Sequence, residues 1–567
     1  FLRSVIAQSS DFFRQGRAVF VAWCTRSFKM KLRALSFSSG SLFVGFVFFV
    51  CYPTLVDSAA SQDFFNMTGF YVRPILPSAT IRSLVDLAFL PNGNILLAEK
   101  RGTIRLLRKQ ADGTFVLWDQ LVLDIRHVVD NKGDRGMNSI AINPRTYTRD
   151  PWLYVFYVRL SGLNSRSTTM RVSKFPMRGD VADSSQETVI LGKSDLLECP
   201  CAEHGSCDSP GGAPIDCLPV DTVTHSACQM MFLPDDTETL RVFTGDGADF
   251  TRVDPLALRA QRLDSYSGKI LSVTKDGKGI PSNPFWNGNA DSIRSKVWAL
   301  GLRNPFKGAP VYNGRAMFAC QVGWVSYEAL FLLGPGQNAG WPCYEGAHVT
   351  EGYADFQECQ DLFSKGVRTI EGSTPPVYEY SHEGKQAAII CGAWSYGKAY
   401  GAPTRGKFFF ADYIDGLLRS FSPQGADIVE TAPTIIGRFR SPSGVYQSLD
   451  DKLYVSTIWE GQLYEMRYGP TPTPDLRPSA TPRTRLPAFL TIGPVRDGSF
   501  YTIGDTVFYS CSGLFSDSTP VPAAIILISV YVHHCYPDAF TCHVHLLTQQ
   551  DPGVTSGSFV LPDHDDN

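Results

Sequence analysis

A strand–turn–strand pattern recurs through most of this chain, from about Ile81 to Tyr468. Each copy has an apolar strand, a turn of Pro, Asp or Gly, a second apolar strand, and then Gly and a third strand; the segment LVDLAFLPNGNILLAEKRGTIRLLR shows it best. Short apolar runs of this kind are strands, and no long helical periodicity competes with them. The repetition is typical of an all-β propeller, and roughly 390 residues at roughly 50–65 per blade allow six to eight blades.

The composition describes a globular chain. Of 567 residues, 44% are hydrophobic and 19% are charged, which excludes the disordered and fibrous classes. The net charge of −3 gives no reason to expect nucleic acid as a partner. Because the chain is longer than one ordinary core needs, we expect more than one domain.

A leader precedes the repeats. A basic segment begins at Met30, an apolar run covers 42–52, and Ser58-Ala59-Ala60 supplies the small residues of a cleavage site. This order predicts a secretory signal peptide over 30–60, and therefore a secreted, extracellular protein. A membrane signal anchor is the alternative, although the run is short for a bilayer that needs roughly 20 apolar residues. We treat 1–29, upstream of the methionine, as a segment outside the fold.

The chain has 14 cysteines, and an extracellular location predicts that they form disulfides. Four of them crowd one Gly/Pro-rich segment, Cys199, Cys201, Cys207 and Cys217, and Cys228 lies just beyond it. A disulfide-stapled insertion is the interpretation favoured there, with a zinc site as its rival. Cys343 and Cys359 bracket a short loop, and Cys535 and Cys542 bracket a hairpin-sized one, so each pair is expected to form a local bridge.

Two further segments follow the repeats. Residues 469–486 form a Pro/Thr-rich linker. Residues 487–567 show short strands with Asp-Gly and Gly-Asp turns, which predicts a truncated immunoglobulin-like β-sandwich. We expect this domain to offer a surface to a cell-surface glycan or protein. Its histidines are either metal ligands or plain surface residues: His533, His534, His543 and His545.

Three features of the repeat region suggest chemistry. His225 stands just before an apolar strand, where a neutral imidazole can take a proton, although a structural histidine is the alternative. Arg303-Asn304 can steady a developing oxyanion, or it can be a surface turn made by Asn-Pro. The loops around Glu328 are rich in carbonyls and carboxylates, the ligands that Ca²⁺ prefers.

A series of motifs occurs in order between His225 and Gly346: HSAC-x-MMF, TGDGA, LRAQ-x-LDS-x-SGKIL, NPFW, GLRNPF, VGW-x-x-YE and GWPCYEG. In this order they resemble the glucose/sorbosone dehydrogenase family, soluble quinoproteins that use pyrroloquinoline quinone (PQQ) and Ca²⁺. The resemblance spans about 70–468, and we assign 61–468 to this domain. It implies a six-bladed propeller with cofactor and sugar in a cleft at one end of the axis.

The resemblance also implies residue roles. His225 would remove the hydroxyl proton of the sugar while hydride passes to the quinone, and Arg303 would stabilise the reduced oxygen. Arg135, Arg303 and Asn304 would contact PQQ. Glu328 would be a calcium ligand.

The chain departs from the family pattern beside these residues. Thr224 stands where an Asp usually precedes the catalytic histidine, so we expect His225 to lack an orienting carboxylate. Ala329, Phe331 and Ala339 replace polar or aromatic residues in the stretches where some members bind Ca²⁺.

The sequence therefore predicts a secreted PQQ-dependent aldose dehydrogenase that oxidises a sugar C1 hydroxyl to the lactone and passes electrons to an external acceptor. The alternative is a non-catalytic extracellular propeller that binds carbohydrate or protein in adhesion. A Ca²⁺-dependent lactonase-type hydrolase is a third interpretation, which only analogy of fold supports.

Overall fold

The structure is a computed structural model that describes 69–76, 81–160, 168–194, 215–226, 228–233, 236–367, 372–422 and 433–469, together with 64, 65, 67 and the strands outside this region. The chain forms two compact units. One unit covers Asp63–Pro472, and the other combines Phe1–Gln62 with Thr473–Asn567.

The unit over Asp63–Pro472 contains six sheets of a β-propeller, which confirms the predicted fold and selects six blades from the predicted range. The first strand of each blade contacts the first strands of its neighbours, so these are the inner strands around the axis. Blades 1 to 3 have the following strands in chain order: Leu84–Phe89, Ile95–Glu99, Thr103–Lys109, Phe115–Leu117 and Leu123–Asp124; Met137–Ala141, Trp152–Val158, Thr168–Arg178, Val181–Ala182, Thr188–Leu191 and Leu218–Val220; Cys228–Phe232, Thr239–Thr244, Lys269–Thr274 and Val297–Leu300.

Blades 4 to 6 continue the same antiparallel order: Pro305–Val311, Ala316–Gln321, Tyr327–Leu333 and Tyr378–Ser381; Ile389–Ser395, Lys407–Asp412, Leu417–Phe421 and Thr434–Arg438; Pro442–Gln447, Leu453–Thr457 and Gln462–Tyr468. Between blade strands lie the ribbon Tyr344–Glu345 with His348–Val349, the α-helix Gln357–Lys365 and five 3₁₀ turns: Ser184–Gln186, Pro255–Gln261, Arg294–Lys296, Tyr312–Gly314 and Glu351–Tyr353. None of the helices within the described residues is long and apolar enough to cross a membrane.

The ring is closed by strands from the beginning of the unit. Phe70–Pro74 pairs antiparallel with Gln462–Tyr468 and supplies the fourth strand of blade 6, in the register Phe70↔Tyr468. Phe64–Phe65 adds to the outer edge of blade 5. Closure therefore joins strands that lie almost 400 residues apart in sequence, a pairing that the repeat pattern does not predict.

Apolar layers between blades form the core, and disulfides add to it. Between blades 4 and 5, Phe318 stacks on Phe408 with ring centroids 4.1 Å apart. In the same layer Cys320 is bonded to Cys391, a pair that the sequence did not suggest. The predicted bridge between Cys343 and Cys359 is confirmed.

In the other unit, the strands that the structure describes form two sheets. One has five strands in the order Ser499–Tyr501, Val19–Cys24, Val44–Pro53, Ile526–Cys535 and Cys542–Gln549, and the other has Pro487–Gly493, Thr506–Phe515 and Ser556–Val560. The hairpin register places Cys535 opposite Cys542. The side chains of these cysteines and of the four histidines lie outside the described residues, as do most of the leader, the linker and the cysteines at 199–207. The immunoglobulin-like sandwich, the signal peptide and these sites stay predictions.

Candidate active site

The segments before the inner strands and the turns after the second strands lie at the same end of the propeller, because the two strands are antiparallel. His225 lies three residues before Cys228–Phe232 in blade 3, and Arg303 and Asn304 come directly before Pro305–Val311 in blade 4. The register of blade 3 pairs Cys228 with Thr244, so the segment before one strand lies beside the segment after the other. This topology brings His225 next to the TGDGA turn.

His225 is buried and paired with a carboxylate. Its Nδ1 lies 2.7 Å from Oδ1 of Asp246. The backbone of His225 has φ 54°, in the left-handed region, and its carbonyl oxygen would lie 2.0 Å from a Cβ at position 245, so only glycine fits there. The expectation that His225 lacks an orienting carboxylate is wrong, because the partner comes from across the strand pair and not from position 224.

Asp246 is fully buried and is held from several sides. Its Oδ2 accepts a hydrogen bond from Trp341 Nε1 at 2.7 Å, and its Oδ1 accepts one from the Ala248 N–H at 3.0 Å. Burial opposes its ionisation, but the charge and hydrogen bond of His225 and the charge of Arg303 outweigh burial, so the pKa of Asp246 lies below its ordinary value. The site therefore holds a carboxylate anion against the imidazole.

Arg303 and Asn304 lie beside this pair. The Asp246 N–H donates to the Arg303 carbonyl at 2.7 Å, and the Arg303 guanidinium lies 5.3 Å from the Trp341 ring centroid. One guanidinium nitrogen donates to the carbonyls of Val322 and Gly323, at 3.0 and 2.6 Å. The Nε of Arg303 and the Oδ1 of Asn304 are buried and have no hydrogen-bond partner among the residues that the structure describes. Burial lowers the pKa of Arg303, against the opposing charge of Asp246.

The turn that holds Arg303 is itself held by a carboxylate. Oε1 of Glu345 accepts hydrogen bonds from four consecutive backbone N–H groups, from Trp324 to Tyr327, at 2.6 to 3.2 Å. Four N–H groups around one carboxylate oxygen form an anion nest. We call 322–327 the arginine turn, because its first two carbonyls bind Arg303.

Glu328, the predicted calcium ligand, is fully buried, and both of its carboxylate oxygens are in hydrogen bonds. Its Oε1 accepts from the Gly323 N–H at 3.0 Å and contacts His382 Nε2 at 2.8 Å, and its Oε2 accepts from the Ile389 N–H at 2.8 Å. Within the part of the chain that the structure describes, no cluster of three or more acidic, His or Cys side chains is arranged to hold a metal. Because both carboxylate oxygens of Glu328 already bind groups of the protein, Glu328 does not fit the role of a calcium ligand. No step of the chemistry below uses Ca²⁺.

Arg135, predicted to contact the cofactor, supports the segment that leads into His225. Its guanidinium pairs with Asp130 at 2.9 Å and donates to the Thr222 carbonyl at 3.0 Å. Neighbouring Asp134 accepts a hydrogen bond from the backbone N–H of His225 at 3.3 Å. The structure thus brings His225, Arg303 and Asn304 together around Asp246, whereas Arg135 and Glu328 bind surrounding segments.

The sequence model of the family described as glucose/sorbosone dehydrogenase matches 81–202 and 218–465. Quinoprotein glucose dehydrogenase B of Acinetobacter calcoaceticus is 31% identical over 135 residues, which cover 23% of this chain and 27% of that protein. The HIPL2 protein of Arabidopsis thaliana is 29% identical over 204 residues, covering 32% of this chain and 27% of that protein.

A solved structure described as a glucose dehydrogenase shares the fold. It is 19% identical, with a TM-score of 0.51, over 70% of this chain and 99% of that one. The chain spans only 27% to 55% of the length of the curated relatives that it matches.

Proposed function

This chain belongs to the glucose/sorbosone dehydrogenase family, and on that premise we propose that it is a secreted, PQQ-dependent aldose dehydrogenase that oxidises the C1 hydroxyl of a sugar to the lactone. One observation supports the proposal most: a buried His225–Asp246 pair lies beside Arg303 and Asn304, whose buried Nε and Oδ1 have no partner within the described part of the chain. A histidine with an orienting carboxylate is built for proton transfer.

His225 is the general base of the proposed reaction. The ionised Asp246 accepts a hydrogen bond from Nδ1–H, so in the neutral imidazole Nε2 is the nitrogen that is free to accept a proton. Nε2 takes the proton of the C1 hydroxyl, and Asp246 stabilises the imidazolium that forms. Trp341 and Ala248 keep the carboxylate in place through both protonation states of the histidine.

Arg303 and Asn304 would hold the cofactor. Arg303 Nε is a buried donor and Asn304 Oδ1 a buried acceptor, and leaving both unpaired is costly unless a ligand binds them. A cationic donor also suits an anionic quinone with carboxylates. When bound, PQQ would supply an o-quinone that accepts the C1 hydrogen of the sugar as hydride. Arg303 is placed to stabilise negative charge on an oxygen bound at its Nε.

The test is a cofactor titration followed by turnover. Purified protein is titrated with PQQ, with and without Ca²⁺, while the absorbance of the quinone is recorded, and dye reduction is then measured with a panel of aldoses. We expect saturable binding, dye reduction by at least one aldose, and loss of reduction in His225→Ala with PQQ binding retained.

Absence of both binding and dye reduction would overturn the proposal in favour of the non-catalytic binding propeller. Reduction that survives in His225→Ala would overturn the role of the base. The external electron acceptor is represented in this assay by the dye.

A further inference from the structure

An exposed aromatic ring lies beside the buried base. The side chain of Phe250 is 47% exposed, and its ring centroid lies 6.2 Å from that of His225 with the two planes tilted by 48°. Exposure of a phenyl ring loses the apolar burial that would otherwise stabilise the fold. The proposed proton transfer makes no use of this ring.

The backbone that carries Phe250 is fixed by hydrogen bonds. Its carbonyl accepts from Trp324 Nε1 at 2.6 Å, which ties it to the arginine turn. On one side the Asp249 N–H donates to Asp254 at 2.8 Å, and the Asp254 N–H donates to Tyr353 Oη at 2.9 Å. The ring is therefore presented from a fixed loop, as a binding surface should be.

Three more exposed apolar side chains lie close in sequence to His225, Phe250 or Trp324. Val223 lies two residues before His225 and is 43% exposed, Val253 follows Phe250 and is 37% exposed, and Val325 in the arginine turn is 63% exposed. Apolar groups with a few converging polar groups are the usual lining of a ligand site. Among these exposed apolar groups, the ring of Phe250 is the one that lies beside the imidazole of His225.

We propose, on the basis of the function proposed above, that Phe250 is the platform on which the sugar ring stacks, and that it selects pyranoses with an unobstructed C–H face. The ring offers a π face to C–H groups and no hydrogen bond, whereas an axial hydroxyl on the stacked face would lose its water without gaining a partner. Stacking on Phe250 turns the C1 hydroxyl toward His225.

The test compares Phe250→Ala and Phe250→Trp with wild type. We expect Phe250→Ala to raise KM for an all-equatorial aldopyranose roughly 3- to 10-fold, with kcat changed less and the PQQ titration unchanged, and Phe250→Trp to keep the low KM. Preference for that sugar over its epimers with one axial hydroxyl should fall in Phe250→Ala. Tyr468→Ala, an aromatic of 60% exposure on the last strand of blade 6, is the matched control and should leave KM unchanged.

Saturation-transfer NMR of the same sugars on cofactor-free protein separates the two proposals. If wild type oxidises sugars and Phe250→Ala has the same KM and the same preference among epimers, the platform is wrong and the dehydrogenase stands. If wild type binds sugar without oxidising it and Phe250→Ala loses binding, the platform stands and the dehydrogenase fails. Protein that neither binds nor oxidises sugar overturns both.

Discussion

In blade 3, the tautomer of His225 depends on its carboxylate partner, Asp246. The ionised Asp246 accepts a hydrogen bond from Nδ1–H of His225, so the tautomer of the neutral imidazole is set by a residue 21 positions away in sequence. An amide in place of the carboxylate would donate toward Nδ1 and move the proton to Nε2, where the base must accept.

We therefore expect Asp246→Asn to lower kcat by roughly 10²- to 10⁴-fold while PQQ still binds. Dye-reduction kinetics and the absorbance titration measure the two effects separately. Asp180→Asn, a surface aspartate paired with Arg108, is the control and should retain activity. Equal kcat in Asp246→Asn and wild type would contradict the role given to Asp246.

A second histidine links pH to stability. The hydrogen bond to Glu328 raises the pKa of His382, and the charge of Glu345 adds to it, while partial burial opposes them. Because the folded state binds the proton more tightly, this contribution is fully present below the ordinary histidine pKa and is lost as pH rises through the raised pKa.

His382→Gln should remove that dependence and lower the unfolding free energy at pH 5 by about 1 kcal/mol or less. Urea unfolding between pH 5 and pH 9 measures it, with His348→Gln, a more exposed histidine beside Glu379, as the control. A wild-type stability that rises with pH across this range relative to His382→Gln would contradict the sign.

At the scale of the elements, one oxygen of Glu345 accepts hydrogen bonds from four of the backbone N–H groups of the arginine turn. Glu345→Ala removes the acceptor of four backbone N–H groups and should lower the unfolding free energy by about 2–4 kcal/mol, with weaker PQQ binding because the carbonyls that hold Arg303 lose their position. Glu345→Gln keeps one oxygen acceptor, so its unfolding free energy and its PQQ affinity should lie between those of wild type and Glu345→Ala. Chemical denaturation and the PQQ titration measure these effects, and unchanged PQQ affinity in a folded Glu345→Ala protein would show that the turn does not position Arg303.

The disulfide between blades gives a prediction of the same scale. Cys320 and Cys391 are 71 residues apart and join neighbouring blades, whereas Cys343 and Cys359 are 16 apart. The longer closed loop restricts the unfolded chain more, so Cys320→Ala/Cys391→Ala should cost about 3–5 kcal/mol and Cys343→Ala/Cys359→Ala less. Unfolding of both double variants under oxidising conditions checks the order; a larger loss for the shorter loop would contradict it.

The elements also show what sequence can predict here. Strands such as Ile95–Glu99 follow from their apolar runs between turns, and the local bridge Cys343–Cys359 follows from spacing. The Asp246 partner does not follow from the residue before His225, although the hairpin pairing of Cys228 with Thr244 carries the signal. Glu345 and Glu328 accept hydrogen bonds from backbone N–H groups, and the composition of their loops does not predict this. Acidic loops that bind a metal and acidic loops that cap a turn contain the same residue types.

On the scale of the whole molecule, repeat length alone allows six to eight blades, and it was the resemblance to the glucose/sorbosone dehydrogenase family that implied six. The number six is determined by ring closure, in which Phe70–Pro74 pairs with Gln462–Tyr468. That pairing depends on the sum of all blade angles, a property that no single repeat contains. The apolar layers between blades then determine which residues reach the axis.

The same ring closure determines when the paired strands can meet during biosynthesis. The strand Phe70–Pro74 is made before any blade, yet its partner Gln462–Tyr468 is made after nearly all of them. Until the last blade has left the ribosome, the strand Phe70–Pro74 has no partner strand, and both ends of the nascent ring expose sheet edges that can associate with other chains. Such non-local pairing is slow, so yield in cells should depend on chaperones that shield these edges while synthesis is completed.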